Sequence, residues 1–167
     1  VTLRAIIIVE ALALLAFAFL ARAEAAPVAT VCAELAAETT HPEPDARAAT
    51  CERLAWLAEA SGVPTGLVLA VAYVETHYDP EPARMCGPLQ VARSYHCRDC
   101  THEECERAGV WLLTDLLDRY RGDVRRALLR YLRGGLPVEA QHERFVGAVL
   151  ERARDIARQL AAVGGEA

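Results

Sequence analysis

From residue 27 onward the chain is a succession of helix-length segments in which apolar residues recur at three- and four-residue spacing, divided by short clusters of Pro, Gly, Asp and Ser. A short helix is expected over residues 31–39. His41-Pro42-Glu43-Pro44 cannot continue it, because proline lacks the amide donor and clashes with the preceding turn. Asp45 is then the expected N-cap of a second helix reaching Ala60, with Cys51, Leu54, Ala55, Leu57 and Ala58 on its apolar side and Ser61-Gly62 as its stop. A third helix starts at Pro64 or Thr65. Its run from Leu67 to Val74 is apolar nearly all round, which marks it as the central, most buried helix, and Glu75 ends that run.

Asp79 to Gly87 is Pro-rich and turn-forming, so the chain should leave the core there as a surface loop. Thr101 with Glu104 has the spacing of a capping box for a fourth helix to Arg121, with Val110, Leu113, Leu117 and Tyr120 on one face and Gly122 as its stop. Asp123 caps a fifth helix that turns Val124, Ala127, Leu128, Tyr131 and Leu132 inward and ends at Gly134-Gly135. Pro137 opens a sixth, which keeps period through Val138, Phe145, Val149, Ile156 and Leu160 to Ala162. Trp56 and Trp111 fall inside these helices and are expected to pack. No segment alternates well enough for a sheet, and no repeat is evident, so the fold class is mainly α.

The first 26 residues read differently. Arg4, an apolar run from Ala5 to Ala21 and small residues at Ala21-Arg22-Ala23 and Ala23-Glu24-Ala25 have the build of an export signal, with residues 5–21 as a membrane anchor if cleavage does not occur. The expected organisation is a signal or anchor over 1–25, an extension with a short helix over 26–44, a helical domain over 45–162 and a flexible tail over 163–167. Export to the periplasm or beyond agrees with the cysteines. Cys32, Cys51, Cys86, Cys97, Cys100 and Cys105 form an even set, for which three disulfides are the simplest account. Cys32 with Cys51 would staple two neighbouring helices, while the other four gather around one loop. Zinc is the rival, since Cys97-x-x-Cys100 with Cys86, Cys105, His96 and His102 offers soft ligands at near-metal spacing.

Composition narrows the classes further. The 167 residues are 53% hydrophobic and 25% charged with a net charge of -5, enough apolar content for one folded domain and too little length for a multidomain enzyme. Every one of the 18 basic residues is Arg and none forms a concentrated stripe, which sets nucleic acid aside as a partner.

The chemical oddity is Glu75. A carboxyl after eight apolar residues, at the negative end of a helix, has its ionised form disfavoured by burial and by the helix dipole. A carboxyl protonated near neutrality is what a general acid for glycosidic cleavage needs. Asp79 and Glu81 are the nearest spare carboxylates, in polar loop surroundings that favour solvation, and His77 lies on another face of the helix from Glu75.

Around Glu75 the stretch Tyr73-Val74-Glu75-Thr76-His77-Tyr78-Asp79-Pro80, followed by Cys86-Gly87-Pro88-Leu89-Gln90-Val91, resembles the soluble lytic transglycosylase family, related in fold to goose-type lysozymes. That family has an apolar helix ending in Glu-Ser, an aromatic residue and a Pro shortly after, a Gly-Leu-Met-Gln segment, and later a Tyr-Asn pair near a Gly. Glu75, Thr76, Tyr78 and Pro80 stand in the first places; Gly87, Leu89 and Gln90 in the second; Tyr131 and Gly134 in the third. The likeness runs from about residue 48 to about residue 135. Thr76 replaces the family's Ser, Leu132 its Asn, and the loop between Glu75 and Gln90 is about three residues shorter.

The resemblance implies a lysozyme-like helical domain, which the expected disulfides would staple. It would cleave the β-1,4 bond between N-acetylmuramic acid and N-acetylglucosamine in peptidoglycan strands without water, leaving a 1,6-anhydro end. Glu75 would act as sole acid and base, and Thr76, Tyr78, Gly87, Leu89, Gln90 and Tyr131 would form the substrate site. Neither metal nor organic cofactor is implied. The alternatives are a hydrolytic muramidase of the same fold, and a catalytically impaired domain that binds glycan or a cell-envelope partner.

Overall fold

The computed structural model describes residues 28–38, 42–80, 85–92, 99–133 and 139–164. The expected signal or anchor, Glu81, Cys97, the Gly134-Gly135 stop, Pro137 and Val138 lie outside the described residues. Within them the chain is mainly α: six helices and one isolated antiparallel bridge, Cys86 with Val91. They are α1 over residues 28–37, α2 (Pro44–Ser61), α3 (Thr65–Thr76), α4 (His102–Arg119), α5 (Val124–Arg133) and α6 (Ala140–Gly164).

Local chemistry explains most of the boundaries. α1 begins before residue 31 and buries Val31, Cys32, Leu35 and Ala36, neighbours at one helical turn. α2 corrects the expected cap: Pro44 opens the helix, Glu43 in a left-handed conformation takes the cap place, and Asp45 lies in the first turn, where it faces the positive end of the dipole. At the other end Gly62, with φ of 68°, lets its amide reach Glu59 O and the Val63 amide reach Ala58 O, satisfying carbonyls the helix leaves free. α4 starts on the expected capping box, the Thr101 hydroxyl accepting from the Glu104 amide and the Glu104 carboxylate accepting from the Thr101 amide. Asp123 Oδ1 accepts from the Arg126 amide at 3.1 Å and caps α5. α6 continues to Gly164, past the expected end at Ala162 and into what was expected to be flexible tail.

α3 is the axis of the fold. Leu67 to Ala72 are buried without interruption, so the helix has no solvent face there. It packs on α2 and more extensively on α6. Gly66 makes the second approach close, since a Cβ there would stand 3.0 Å from the carbonyl oxygen of Ala153. α5 lies against α4 and α6, and α4 against α2. Between α2 and α4, Arg53 grips the buried carboxylate of Glu106 with two bonds of 2.8 and 3.1 Å and also donates to the Thr50 hydroxyl at 3.0 Å. That is the fork geometry in which a carboxylate out of water is tolerated. Across the molecule, Glu38 accepts from the Tyr73 hydroxyl and pairs with Arg152, whose guanidinium lies 3.7 Å from the Tyr73 ring centre, tying α1, α3 and α6 together.

The tryptophans correct the expectation made for them. Trp56 is 67% and Trp111 62% exposed, each on the side of its helix away from the buried stripe. On α2 the stripe is Cys51, Leu54, Ala55 and Ala58; on α4 it is Cys105, Glu106, Gly109, Val110, Leu113 and Leu116, with Leu117 only partly buried.

The staples join neighbours. Cys32–Cys51 ties α1 to α2 and Cys86–Cys105 ties the 86–91 turn to α4. Cys100 is disulfide-bonded too, so Cys86, Cys100 and Cys105 are not the thiolates that the zinc alternative would require of them. Persistent disulfides fit an oxidising, exported setting. Among the described residues no helix is long and apolar enough to cross a membrane.

Each of the two bridges closes a sequence separation of 19 residues, worth about 3 kcal/mol by restriction of the unfolded chain. The Cys32→Ser, Cys51→Ser double variant is expected to lose about that much stability in urea titration. An unchanged midpoint would mean that the α1–α2 packing holds without the bridge.

Candidate functional site

The buried run of α3 carries its carboxyl to the edge of the core. Glu75 occupies the last turn, partly buried, and burial is the cause that drives its pKa from 4.5 up to about 7. One residue on, the chain breaks sharply. His77 (φ 53°) and Tyr78 (φ 62°) are successive left-handed residues, a conformation disfavoured for any side chain bearing a Cβ. The His77 amide still returns to Tyr73 O at 2.9 Å, closing the helix.

Two further elements converge there. The first is the 86–91 turn, closed by paired bonds between Cys86 and Val91 and by the Gln90 amide donating to Gly87 O. Its exposed-looking carbonyls are in fact used: the Thr76 hydroxyl, which also contacts Ala72 O, donates to Pro88 O at 3.0 Å. The second is α5, from which the Tyr131 hydroxyl donates to Leu89 O at 2.5 Å. Burial, and secondarily the charge of Glu75 nearby, push the Tyr131 phenol above its ordinary range, so it stays a donor at any physiological pH. α3, turn and α5 are thus latched around Glu75 by two hydroxyl-to-carbonyl bonds.

Of the residues expected to line a substrate site, Glu75, Thr76, Gly87, Leu89, Gln90 and Tyr131 do come together, but several serve the frame. Leu89 is fully buried, its side chain pressed on α4, where a Cβ on Gly109 would meet it at 2.5 Å; only its carbonyl takes part in the latch. Gly87 is needed for packing, since with φ of 68° a Cβ would stand 2.8 Å from Cys105 Cβ. Gln90 is partly buried and its amide nitrogen donates to Gly87 O at 3.2 Å. Tyr78 is corrected outright: the ring is completely buried, edge-on to Tyr73 at 5.8 Å, and has no face left for a sugar. His77 packs on Tyr73, ring centres 4.8 Å apart, on the side of α3 away from Glu75. Leu132 packs against the core where an Asn amide was looked for.

One residue was missed. Arg47, almost fully buried, donates through Nη1 to Thr76 O at 3.1 Å and to His77 O at 2.6 Å, and through Nε to Pro42 O at 3.2 Å. Its Nη2 also stands 3.8 Å from Asp79, so that carboxylate is partnered and faces a cation. The signal was present in register: Arg47 is four residues before Cys51, at the head of the buried stripe of α2, a place where an arginine needs partners inside the protein.

The arrangement can hold a protonated carboxyl near neutrality beside a rigid backbone frame and release it as a carboxylate when a proton is required elsewhere. It also makes stability depend on pH. With a folded pKa of about 7 against an unfolded 4.5, Glu75 favours the folded state below about pH 4.5, and roughly 3 kcal/mol of that stabilisation disappears as pH rises through 7. Glu75→Gln should remove this dependence, so that its urea midpoint exceeds the parent's at pH 8 and approaches it at pH 5. Parallel pH profiles for the two proteins would show that Glu75 titrates as an ordinary surface carboxyl.

No family model, curated protein or solved structure matches the chain, and what the site can do has to be read from its own geometry.

Proposed function

We propose that the protein is an exported enzyme of lysozyme-like fold that cleaves peptidoglycan strands by lytic transglycosylation. The observation that carries this reading is Glu75: a carboxyl raised to about 7 by burial, at the end of a helix buried from Leu67 to Ala72, beside a tyrosine hydroxyl and a hydrogen-bonded turn. Glu75 gives its proton to the glycosidic oxygen as the bond from the muramoyl C1 breaks, so the N-acetylglucosamine leaves with a free hydroxyl. The resulting carboxylate takes the proton of the muramoyl 6-hydroxyl, whose oxygen bonds to C1 and closes the 1,6-anhydro ring. Atoms balance without water, and Glu75 returns to its starting state.

A second carboxylate poised for a nucleophilic or water-activating part is what a hydrolytic route would use. Among the described residues Asp79 is engaged with Arg47, and burial is what raises the Glu75 carboxyl, which favours the single-carboxylate route. The non-catalytic reading, a domain that binds glycan or an envelope partner, draws on Leu132, which offers no hydrogen bond near the site.

The test is to incubate oxidised protein with purified peptidoglycan and identify muramoyl ends by mass spectrometry. Anhydro ends are expected; reducing ends assign a muramidase, and no release assigns the binding domain. Glu75→Gln is expected to fold and bind glycan while release falls to background, Asp79→Asn to retain most activity, and Leu132→Asn to match or exceed the parent. Parental turnover by a folded Glu75→Gln protein would sink the mechanism.

A further inference from the structure

The corner after Glu75 is built from two consecutive left-handed residues, neither of them glycine, and strain of this kind persists only where the surroundings hold it. Tyr78 is one such anchor, its ring sealed in the core. The other is Arg47. Its guanidinium crosses from the first turn of α2 to the last carbonyls of α3, taking Thr76 O at 3.1 Å and His77 O at 2.6 Å, and it reaches Pro42 O in the same plane of donors. Thr76 O also accepts the Asp79 amide at 3.2 Å, so the oxygen beside Glu75 is doubly bound. A cation at a helix C-terminus is favoured by the dipole as well. Arg47 does this through backbone carbonyls, while burial is the cause that raises the Glu75 carboxyl.

We propose that Arg47 is the positioning residue of the Glu75 site, its buried guanidinium keeping the strained corner closed so that the last turn of α3 stays wound and the carboxyl stays shielded from water between α5 and the 86–91 turn. Its use in catalysis rests on the reading of Glu75 as acid and base; its effect on Glu75 does not. On α5 the Tyr131 phenol feels the charge of Glu75, while Arg47 stands 3.8 Å from Asp79, past the corner in the chain. Opening the corner therefore has one direct consequence: water reaches Glu75.

The experiment uses the full oxidised chain labelled at Glu carboxyl carbons, with Glu75 assigned by loss of its signal in Glu75→Gln. Parent, Arg47→Met and Arg47→Lys are titrated by NMR and assayed for muropeptide release across pH. In Arg47→Met the Glu75 midpoint is expected to move from about 7 toward the ordinary 4.5, so that at pH 7 the protonated fraction, and with it release, falls up to ~100-fold. Arg47→Lys, which keeps the charge but not the fork, should recover part of the midpoint. A folded Arg47→Met whose Glu75 titrates as in the parent overturns the proposal. So does loss of folding in both variants, which would make Arg47 a general stabiliser. Should the parent release nothing while Arg47→Met still shifts Glu75, the enzymatic reading falls and the positioning role stands; an active parent with unshifted Arg47→Met gives the reverse.

Discussion

A helix buried on every side from Leu67 to Ala72 has to end somewhere, and the last turn of α3 ends half-buried at the edge of the core. Its last carbonyls have little access to water, and a buried acceptor left unpaired costs about 1–3 kcal/mol. One donor comes from far along the chain, the guanidinium of Arg47 on Thr76 and His77, and two are local, the amides of His77 and Asp79. Because the same turn carries Glu75, whatever satisfies these carbonyls also decides how the carboxyl is presented. The apolar run therefore gives the fold its axis and the site its acid through a single constraint.

The frame opposite Glu75 is built by the same logic of satisfied carbonyls. Pro88 O and Leu89 O, adjacent acceptors in a short turn, are taken by Thr76 and Tyr131 from two different helices. The turn can sit this close to α4 because Gly109 has no side chain to displace Leu89, and Gly87 none to displace Cys105. The Cys86–Cys105 bridge then fixes the approach covalently. A rigid backbone frame of this type suits proton transfer, where a misplacement of about 1 Å can cost 100-fold in rate. It also explains why hydroxyls that looked free for substrate in the sequence are engaged within the chain.

Much of this was legible before the coordinates. The Thr101–Glu104 cap, the Asp123 cap, the Gly62 stop and the Cys32–Cys51 pairing follow from short-range chemistry, which a linear reading captures. The burial of Leu67 to Ala72 and the perturbed Glu75 follow from the one segment with no polar face. The failures share a cause. Tyr78 was expected at the substrate site because it stands in the family's aromatic place, yet at two successive left-handed residues its ring lies in the core. Trp56 was expected to pack because it falls inside α2, although Cys51, Leu54, Ala55 and Ala58 already claimed the opposite side of that helix. Arg47 and Glu106 are charged residues in buried register whose partners lie 29 and 53 positions away, distances over which spacing carries no information.

These charged residues also divide the work of the fold in an instructive way. Arg53 and Glu106 neutralise each other between α2 and α4, an arrangement that fixes which faces meet without serving the site. Arg47, one and a half turns earlier on α2, binds carbonyls and leaves Glu75 unneutralised. Had Arg47 paired with Glu75, the carboxyl would have been held ionised and lost to acid chemistry, because a neighbouring cation favours the charged form. Directing the cation to the backbone of Thr76 and His77 closes the helix end without holding the carboxyl ionised, so the carbonyls are satisfied and the proton that the proposed acid role needs is kept by holding two opposite charges apart.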